Sequence, residues 1–226
     1  MKRSEGAPSP RTKRAAKPAK PYHHGDLRQA LIDAALAILA TNGEEPFTLR
    51  EIARRAGVTH AAPYRHFADK RALLAALAED GFRGMLAEME RCMRPHPVGS
   101  LERFHACGMA YTVYAVTHPT HFRVMFGPGL LSAPGTASGG TEYPGLAEAG
   151  GATFAALMTT VAEGQAKGLI RGEDPQQIAI AAWSLVHGLS MLLIDGQLGM
   201  VNPEALSAEE LWARVGRLLQ IGIAVP

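Results

Sequence analysis

The sequence has few cysteines, few aromatic residues and no long uninterrupted apolar run. Its two cysteines, Cys92 and Cys107, cannot build a disulfide framework and lack the spacing of metal ligands. We interpret both as packing residues in a reducing compartment. No stretch approaches the ~18 apolar residues of a membrane span, and the basic N-terminus has no apolar core behind it, which excludes a secretory signal. We therefore expect a cytoplasmic protein and no cofactor.

An excess of charge of one sign is also lacking, because the formal net charge is only +2 over 226 residues. Residues 1–24 hold seven Lys or Arg against Glu5, a net charge of +6, so the remaining chain carries −4. Four prolines and no apolar periodicity in this segment predict a disordered basic arm. The hydrophobic share of 47% excludes disorder for the chain as a whole.

What the sequence has in quantity is apolar residues at helical spacing, and no segment shows the alternation of a strand. The first stripe consists of Leu27, Leu31, Ala34, Ala35 and Ile38, and it ends at Asn42-Gly43. Further helices are predicted at 48–56, 59–67, 69–89, 98–117, 119–126, 145–168, 175–198 and 204–221. The Gly- and Pro-rich stretch 127–144 predicts a loop. We expect an all-α fold.

Two of the short helices form a helix-turn-helix pattern. Thr48 and Glu51 have capping-box spacing at the start of the first. Gly57 can take the positive φ that a sharp turn requires. Thr59 is expected to cap the second helix, which Pro63 stiffens near its start. Small and polar side chains on this second helix suit insertion into a DNA major groove, where the N-terminal end lies nearest the bases.

A resemblance to the DNA-binding segment of the TetR family of transcriptional regulators is carried by FTLREIARRAGVTHAAPYRHFADKRALLAA. The family positions are matched by Phe47-Thr48, Ile52-Ala53, Gly57-Val58, Tyr64-Arg65-His66-Phe67 and Lys70. One position departs, since Pro63 stands where the family more often has leucine. The resemblance implies a three-helix helix-turn-helix domain at residues 25–70 and a larger helical domain for effector binding and dimerisation at residues 71–226.

The same resemblance implies roles for individual residues. Tyr64 and His66 would touch phosphates, and Phe67 would anchor the reading helix in the core. His60, Ala61 and Arg65 are candidates for base edges, with a phosphate contact equally open for Arg65. The full set of expected DNA contacts is Thr48, Arg50, Thr59, His60, Ala61, Tyr64, Arg65, His66 and Lys70.

In the second domain, Trp183, His187 and Gly188 form a Trp-x-x-x-His-Gly pattern that resembles one TetR subgroup. A hydrogen-bonded core role for His187 stays open beside a ligand role. Candidate residues of an apolar effector pocket are Phe104, Tyr111, His118, Phe122, Met125, Phe154, Met158, Trp183 and His187. A homodimer interface in the form of a four-helix bundle is expected at Leu185, Leu189, Leu192, Leu211, Val215 and Leu218.

These features indicate a sequence-specific regulator of double-stranded DNA, in the family's commoner mode a repressor that a small molecule releases from a pseudo-palindromic operator. Two alternatives remain open, a non-specific nucleoid-type DNA binder and a haem or metal sensor using His118, His121 or His187. An enzyme is not expected, because no His-Glu-x-x-His spacing, nucleophile elbow or phosphate-loop lysine is present. The basic arm is expected to add affinity rather than specificity.

Overall fold

The computed structural model describes residues 24–42, 47–127, 142–201 and 205–225. The predicted basic arm before His24 and most of the predicted loop at 127–144 lie outside the described residues. Eight α-helices are found in the described part: α1 His24–Asn42, α2 Leu49–Arg55, α3 Lys70–Met93, α4 Leu101–Thr117, α5 Pro119–Phe126, α6 Pro144–Ala166, α7 Pro175–Ile194 and α8 Ala208–Ile223. Extended pairing in that part is limited to one isolated bridge between Ile170 and Ala224. The all-α prediction is confirmed.

The N-terminal helices share one small hydrophobic cluster. It is built from α1, α2 and the first two turns of α3, with Leu31, Ile52 and Leu73 fully buried. The predicted stripe of α1 points into this cluster, while Arg28, Gln29 and Asp33 are exposed. Periodicity alone therefore located the buried face of α1.

Helix α2 begins and ends with the local interactions that its sequence indicates. The Thr48 amide donates to the Glu51 carboxylate (2.7 Å) and the Glu51 amide donates to Thr48 Oγ1 (3.3 Å), which completes the capping box. At the other end Gly57 has φ +70°. The Gly57 amide donates to Arg54 and the Val58 amide donates to Ala53, which is the hydrogen-bond pattern of a Schellman motif.

The prediction of a continuous third helix over 59–67 is wrong. The segment starts as a turn, in which the Ala62 amide donates to the Thr59 carbonyl, and becomes a single 3₁₀ turn at Pro63–Arg65. Because Pro63 has no N–H, the α-helical bond from residue 63 to the Thr59 carbonyl cannot form. No side chain caps this turn, so the predicted cap at Thr59 is wrong as well.

Helix α3 links the small cluster to the rest of the protein. Its side chain at Asp69 accepts from the Ala72 amide and starts the helix. Leu73 and Leu77 pack in the N-terminal cluster, whereas Met85 and Met89 pack in the large cluster. The expected boundary between residues 70 and 71 therefore falls at the start of a helix that serves both clusters.

The larger part of the structure is a bundle of α3 to α8 around the large cluster. Helix α3 packs mainly on α4 and α6, while α4 packs on α7 and α8. Helix α7 is long and apolar enough to cross a membrane by length and composition, with a mean hydropathy of 1.7 and 33% of that window buried. In the fold, one side of α7 contributes Val186 and Leu189 to the large cluster.

Replacing Gly57 by alanine tests the turn of the helix-turn-helix. Nothing lies within 4 Å of a Cβ at this position, so the cost arises from the positive φ alone. We expect a loss of about 1–2 kcal/mol in the free energy of unfolding, measured by urea denaturation. Gly151→Ala is the matched control, because Gly151 is exposed, helical and free of neighbours; it should stabilise by about 0.5–1 kcal/mol. Equal effects of both variants would contradict the assignment.

Candidate nucleic-acid interface and internal cavity

The turn after α2 places a short segment on the surface. Pro63 and Phe67 are buried and fix its two sides, with Phe67 only 3% exposed. Between them Tyr64 is 54% exposed and Arg65 is exposed. The exposed side chains of the segment include Thr59, His60, Ala61, Tyr64 and Arg65, and His66 is half-buried. Five of the predicted DNA contacts thus share one accessible ridge, with His66 at its edge.

The remaining predicted contacts lie at the two helix starts beside this ridge. Thr48 and Arg50 are exposed in the first turn of α2. The Lys70 ammonium lies 3.9 Å from the centre of the Phe47 ring, a cation–π contact that holds the lysine at the start of α3. The Arg28 guanidinium sits 5.6 Å from the Phe67 ring in the same way. Aromatic core residues therefore position cations at the rim of the ridge.

The charge of this surface is positive although the segment 25–70 as a whole is neutral. Residues 47–70 carry five Lys or Arg against Glu51 and Asp69. Both acids are used as helix caps. The hydrogen bond from the Thr48 amide lowers the pKa of Glu51, so its charge stays fixed at the N-terminus of α2. The exposed arginines Arg54 and Arg55 extend the positive surface beyond the predicted contacts.

A second feature is a cavity of about 600 Å³ lined by residues of α3 to α8 and partly open to solvent. Its size is that of a small-molecule site. Five of the nine predicted pocket residues line it, namely Phe104, Tyr111, Met125, Phe154 and Trp183. They come from α4, α5, α6 and α7, so the cavity exists only through long-range packing.

The polar group in the centre of this wall is the hydroxyl of Tyr111. Trp183 Nε1 donates to it (3.2 Å), and His187 Nδ1 lies 2.8 Å from it. The His187 ring also stacks on Phe122 at 5.3 Å. Burial lowers the pKa of His187 and raises that of Tyr111, so both are neutral near pH 7. Trp183 and His187 lie one helical turn apart on α7, so both can bond Tyr111 and connect α7 to α4.

Four predicted pocket residues do not line the cavity. Phe122 and His187 lie behind the wall, in ring contact with Tyr111. Met158 packs in the third cluster, beside the cavity. His118 is exposed and stacks on Tyr114 at 4.4 Å between ring centres. Helix α4 ends at Thr117, and His118 is its C-cap residue.

The sequence reasoning missed Trp212, which is fully buried and lines the cavity from α8. Its Nε1 donates to the His105 carbonyl (3.0 Å). Gly108 on α4 faces the indole so closely that a Cβ there would overlap it. Gly108 and Trp212 are 104 positions apart in the sequence, so no local pattern predicts that they are in contact. Phe82, Phe126 and Tyr143 were missed for the same reason, since tertiary packing alone brings them together.

The predicted dimer residues differ in accessibility. Leu189 is only 7% exposed because it faces α4, so its assignment to an interface is wrong. Leu192 is 39% exposed and Leu218 is 70% exposed. The other three, Leu185, Leu211 and Val215, are half-buried. On α7, Leu192 continues an exposed stripe of small residues, Ala181, Ser184 and Gly188.

Comparison with known proteins matches two segments of the chain to known families. Residues 31–77 match the family described as bacterial regulatory proteins, tetR family. Residues 104–217, half of the chain, match the tetracyclin repressor-like C-terminal domain. The chain belongs to the TetR family.

Relatives of this TetR-family chain include regulators and solved structures. The class C tetracycline repressor of Escherichia coli is 52% identical over 52 residues, which are 23% of this chain and 24% of that protein. The chain thus spans about a quarter of that repressor. A Rhodococcus sp. RHA1 protein of unknown function has a structure with TM-score 0.76, 35% identity and coverage of 92% of this chain and 100% of that one. Bacillus subtilis FadR, in complex with stearoyl-CoA, shares the fold at TM-score 0.68 and 18% identity, over 86% and 98% of the two chains.

The half-buried His187 beside Tyr111 predicts a dependence of stability on pH. Burial lowers the folded-state pKa of His187 below 6.5, and the unfolded chain therefore takes up the proton first as the pH falls. We expect stability to be highest above pH 6.5 and to fall below it, until the pH lies under the folded-state pKa. Urea denaturation between pH 7.5 and 5 should show a smaller loss for His187→Asn than for the wild type. His105 and His121, whose pKa values burial also lowers, will leave a residual slope. Parallel curves would refute the role of His187.

Proposed function

We propose that this TetR-family protein is a sequence-specific transcriptional repressor that a small-molecule effector releases from a pseudo-palindromic operator. The observation that carries the proposal is the ridge 59–66, most of whose side chains are exposed while Pro63 and Phe67 anchor it in the core, with cations held at its rim. An exposed segment with cations at its rim suits the major groove of DNA. The matched relatives include proteins named as repressors, and we infer a cytoplasmic location.

The side-chain chemistry of the ridge residues separates those suited to phosphate contacts from those suited to base contacts. Thr48, Tyr64, His66 and Lys70 are suited to phosphate oxygens, which set the register on the duplex. His60, Ala61 and Arg65 are suited to base edges. Thr59 and Arg50 complete the phosphate contacts at the two ends. The arm before His24 supplies further phosphate contacts and hence salt dependence.

A homodimer is part of this proposal, because one ridge alone contacts only a few base pairs. Leu192, Leu218 and Ile221 form exposed apolar positions on α7 and α8, and Ile221 is 68% exposed. Gly188 has open space around it, so a partner helix can approach α7 closely. Pairing these two helices across a two-fold axis gives a four-helix bundle. The two ridges then meet successive major grooves ~34–36 Å apart.

The switch is proposed to act through α5 and the start of α3. Met125 and Phe126 of α5 line the cavity, while Val124 packs against both the small and the large cluster. Glu142 at the cavity wall pairs with Arg71 (3.3 Å), the neighbour of Lys70. An effector that favours a different placement of these elements changes the spacing of the two ridges. A coupling of ~1–3 kcal/mol would weaken operator binding roughly five- to 150-fold.

The Trp-x-x-x-His-Gly pattern is proposed as a subgroup feature with a structural meaning. Trp183 and His187 both bond Tyr111, so the pattern fixes α7 to the cavity wall. Gly188 follows on the exposed side. The pattern therefore joins the cavity and the dimer surface on one helix.

Selection of bound duplexes from a random pool tests the function directly. We expect an inverted repeat, bound at least ~10³-fold more tightly than mixed-sequence DNA. Arg65→Gln should weaken binding to the selected duplex by ~1–3 kcal/mol. Arg94→Gln, at the far end of α3, should leave it unchanged. Enrichment of no motif would favour a non-specific nucleoid-type binder over this proposal.

A charge on the exposed part of α8 tests the dimer. Leu218→Glu places a carboxylate at the centre of the proposed interface, where burial without a partner is unfavourable. In sedimentation equilibrium we expect a dimer for the wild type and a monomer for this variant. Val98→Glu, at a position 59% exposed between α3 and α4, should remain dimeric. A Leu218→Glu dimer of unchanged affinity would exclude this surface.

A further inference from the structure

The wall of the cavity contains almost no charge. Glu142 is the one ionised side chain among its described lining residues, and no Lys, Arg or His is among them. Arg71 pairs with Glu142 (3.3 Å). Burial also raises the pKa of the Cys107 thiol to about 12, so this group is neutral. Apart from the Arg71–Glu142 pair, the described lining thus offers a charged ligand no counter-charge in exchange for its hydration.

Three hydrogen-bond donors of the wall are already used within the protein. Trp212 Nε1 donates to His105, and Thr153 Oγ1 donates to the Ala149 carbonyl at 2.9 Å. Trp183 Nε1 donates to Tyr111. A ligand rich in acceptors would leave its own acceptors unpaired in these places, which weakens its binding.

The hydroxyl of Tyr111, which lies between α4 and α7, keeps one hydrogen-bonding position unused. It can form three hydrogen bonds, one as donor and two as acceptor. Trp183 and His187 take two of them. If His187 Nδ1 accepts, one lone pair of Tyr111 stays open; if His187 Nδ1 donates, the Tyr111 O–H stays open. Each tautomer leaves one position, and a ligand hydroxyl can fill either.

We propose that the cavity binds an uncharged, predominantly apolar molecule that directs a single hydroxyl group to Tyr111. The inference rests on the proposed function in taking this cavity as the effector site. Eight aromatic side chains in the wall, from Phe82 to Trp212, favour a compact hydrocarbon body. The volume of about 600 Å³ accommodates a small or medium-sized ligand.

Three probes of one shape test the charge preference. 1-Adamantanol, 1-adamantanecarboxylate and 1-adamantylammonium share one rigid cage and differ at pH 7 in charge. The two tryptophans of the chain, Trp183 and Trp212, both line the cavity, so their emission reports binding to the full-length protein. We expect the alcohol to bind roughly tenfold or more tightly than either ion. Equal or tighter binding of an ion, or no change in emission with any probe, would overturn the proposal.

Two glycine variants on α6 test the location. Gly150 lines the cavity, and a Cβ there would lie 3.7 Å from Phe82, an ordinary contact. Gly151 is exposed with nothing within 4 Å. Gly150→Leu should weaken adamantanol binding, whereas Gly151→Leu, the same change one residue away, should not. Equal effects would place the probe elsewhere on the protein.

Tyr111→Phe tests the polar contact. This variant should weaken 1-adamantanol roughly fivefold, the net value of one hydrogen bond. Binding of 1-fluoroadamantane, which has no hydroxyl, should stay within about twofold. A parallel loss for both compounds would show a packing defect and refute the contact. All these measurements are made without DNA, so a failure to bind an operator leaves their outcome unaffected.

Discussion

Helix α3 belongs to two hydrophobic clusters at once, and the rest of the structure depends on this shared membership. Its first turns carry Leu73 and Leu77 into the core of the helix-turn-helix, and its later turns carry Met85 and Met89 into the core of the large domain. A helix of this length is a stiff rod of about 36 Å. Any displacement of its cavity end is therefore transmitted to its first turn, beside the ridge.

The cavity and the ridge are joined by more than this rod. Helix α5 packs on α1 as well as α3, and Arg123 of α5 pairs with Asp195 at the end of α7. The segment before α6 pairs with Arg71. The wall of the cavity is thus made of the elements that hold the small domain in place. The proposed switch therefore requires no dedicated connecting element between the cavity and the small domain.

Local signals in the sequence predicted the local structure well. The capping box at Thr48 and the positive φ at Gly57 are confirmed, because each involves residues within a few positions of one another. Most helix bounds agree within three or four residues, and α5 agrees fully. The third helix failed at Pro63, where a missing N–H outweighed the periodic pattern.

The sites were harder to predict than the helices. Five cavity residues were found because large apolar side chains on α4 to α7 tend to face one another, yet Trp212 and Gly108 meet across 104 residues and give no joint signal. Leu189 shows the converse error. The sequence of a leucine-rich helix does not show which of its leucines are buried within the same protomer. For Leu189 this is decided by the packing of α7 against α4.

The proline that shortened the third helix has a thermodynamic consequence. Pro63 has a fixed φ and is buried, and Phe67 anchors the segment four residues later. The backbone between them is thus ordered in the free protein. Docking a segment that is already ordered loses less conformational entropy than docking a flexible one. Discrimination between duplexes then depends on the fit of a pre-shaped edge to the groove rather than on folding upon contact.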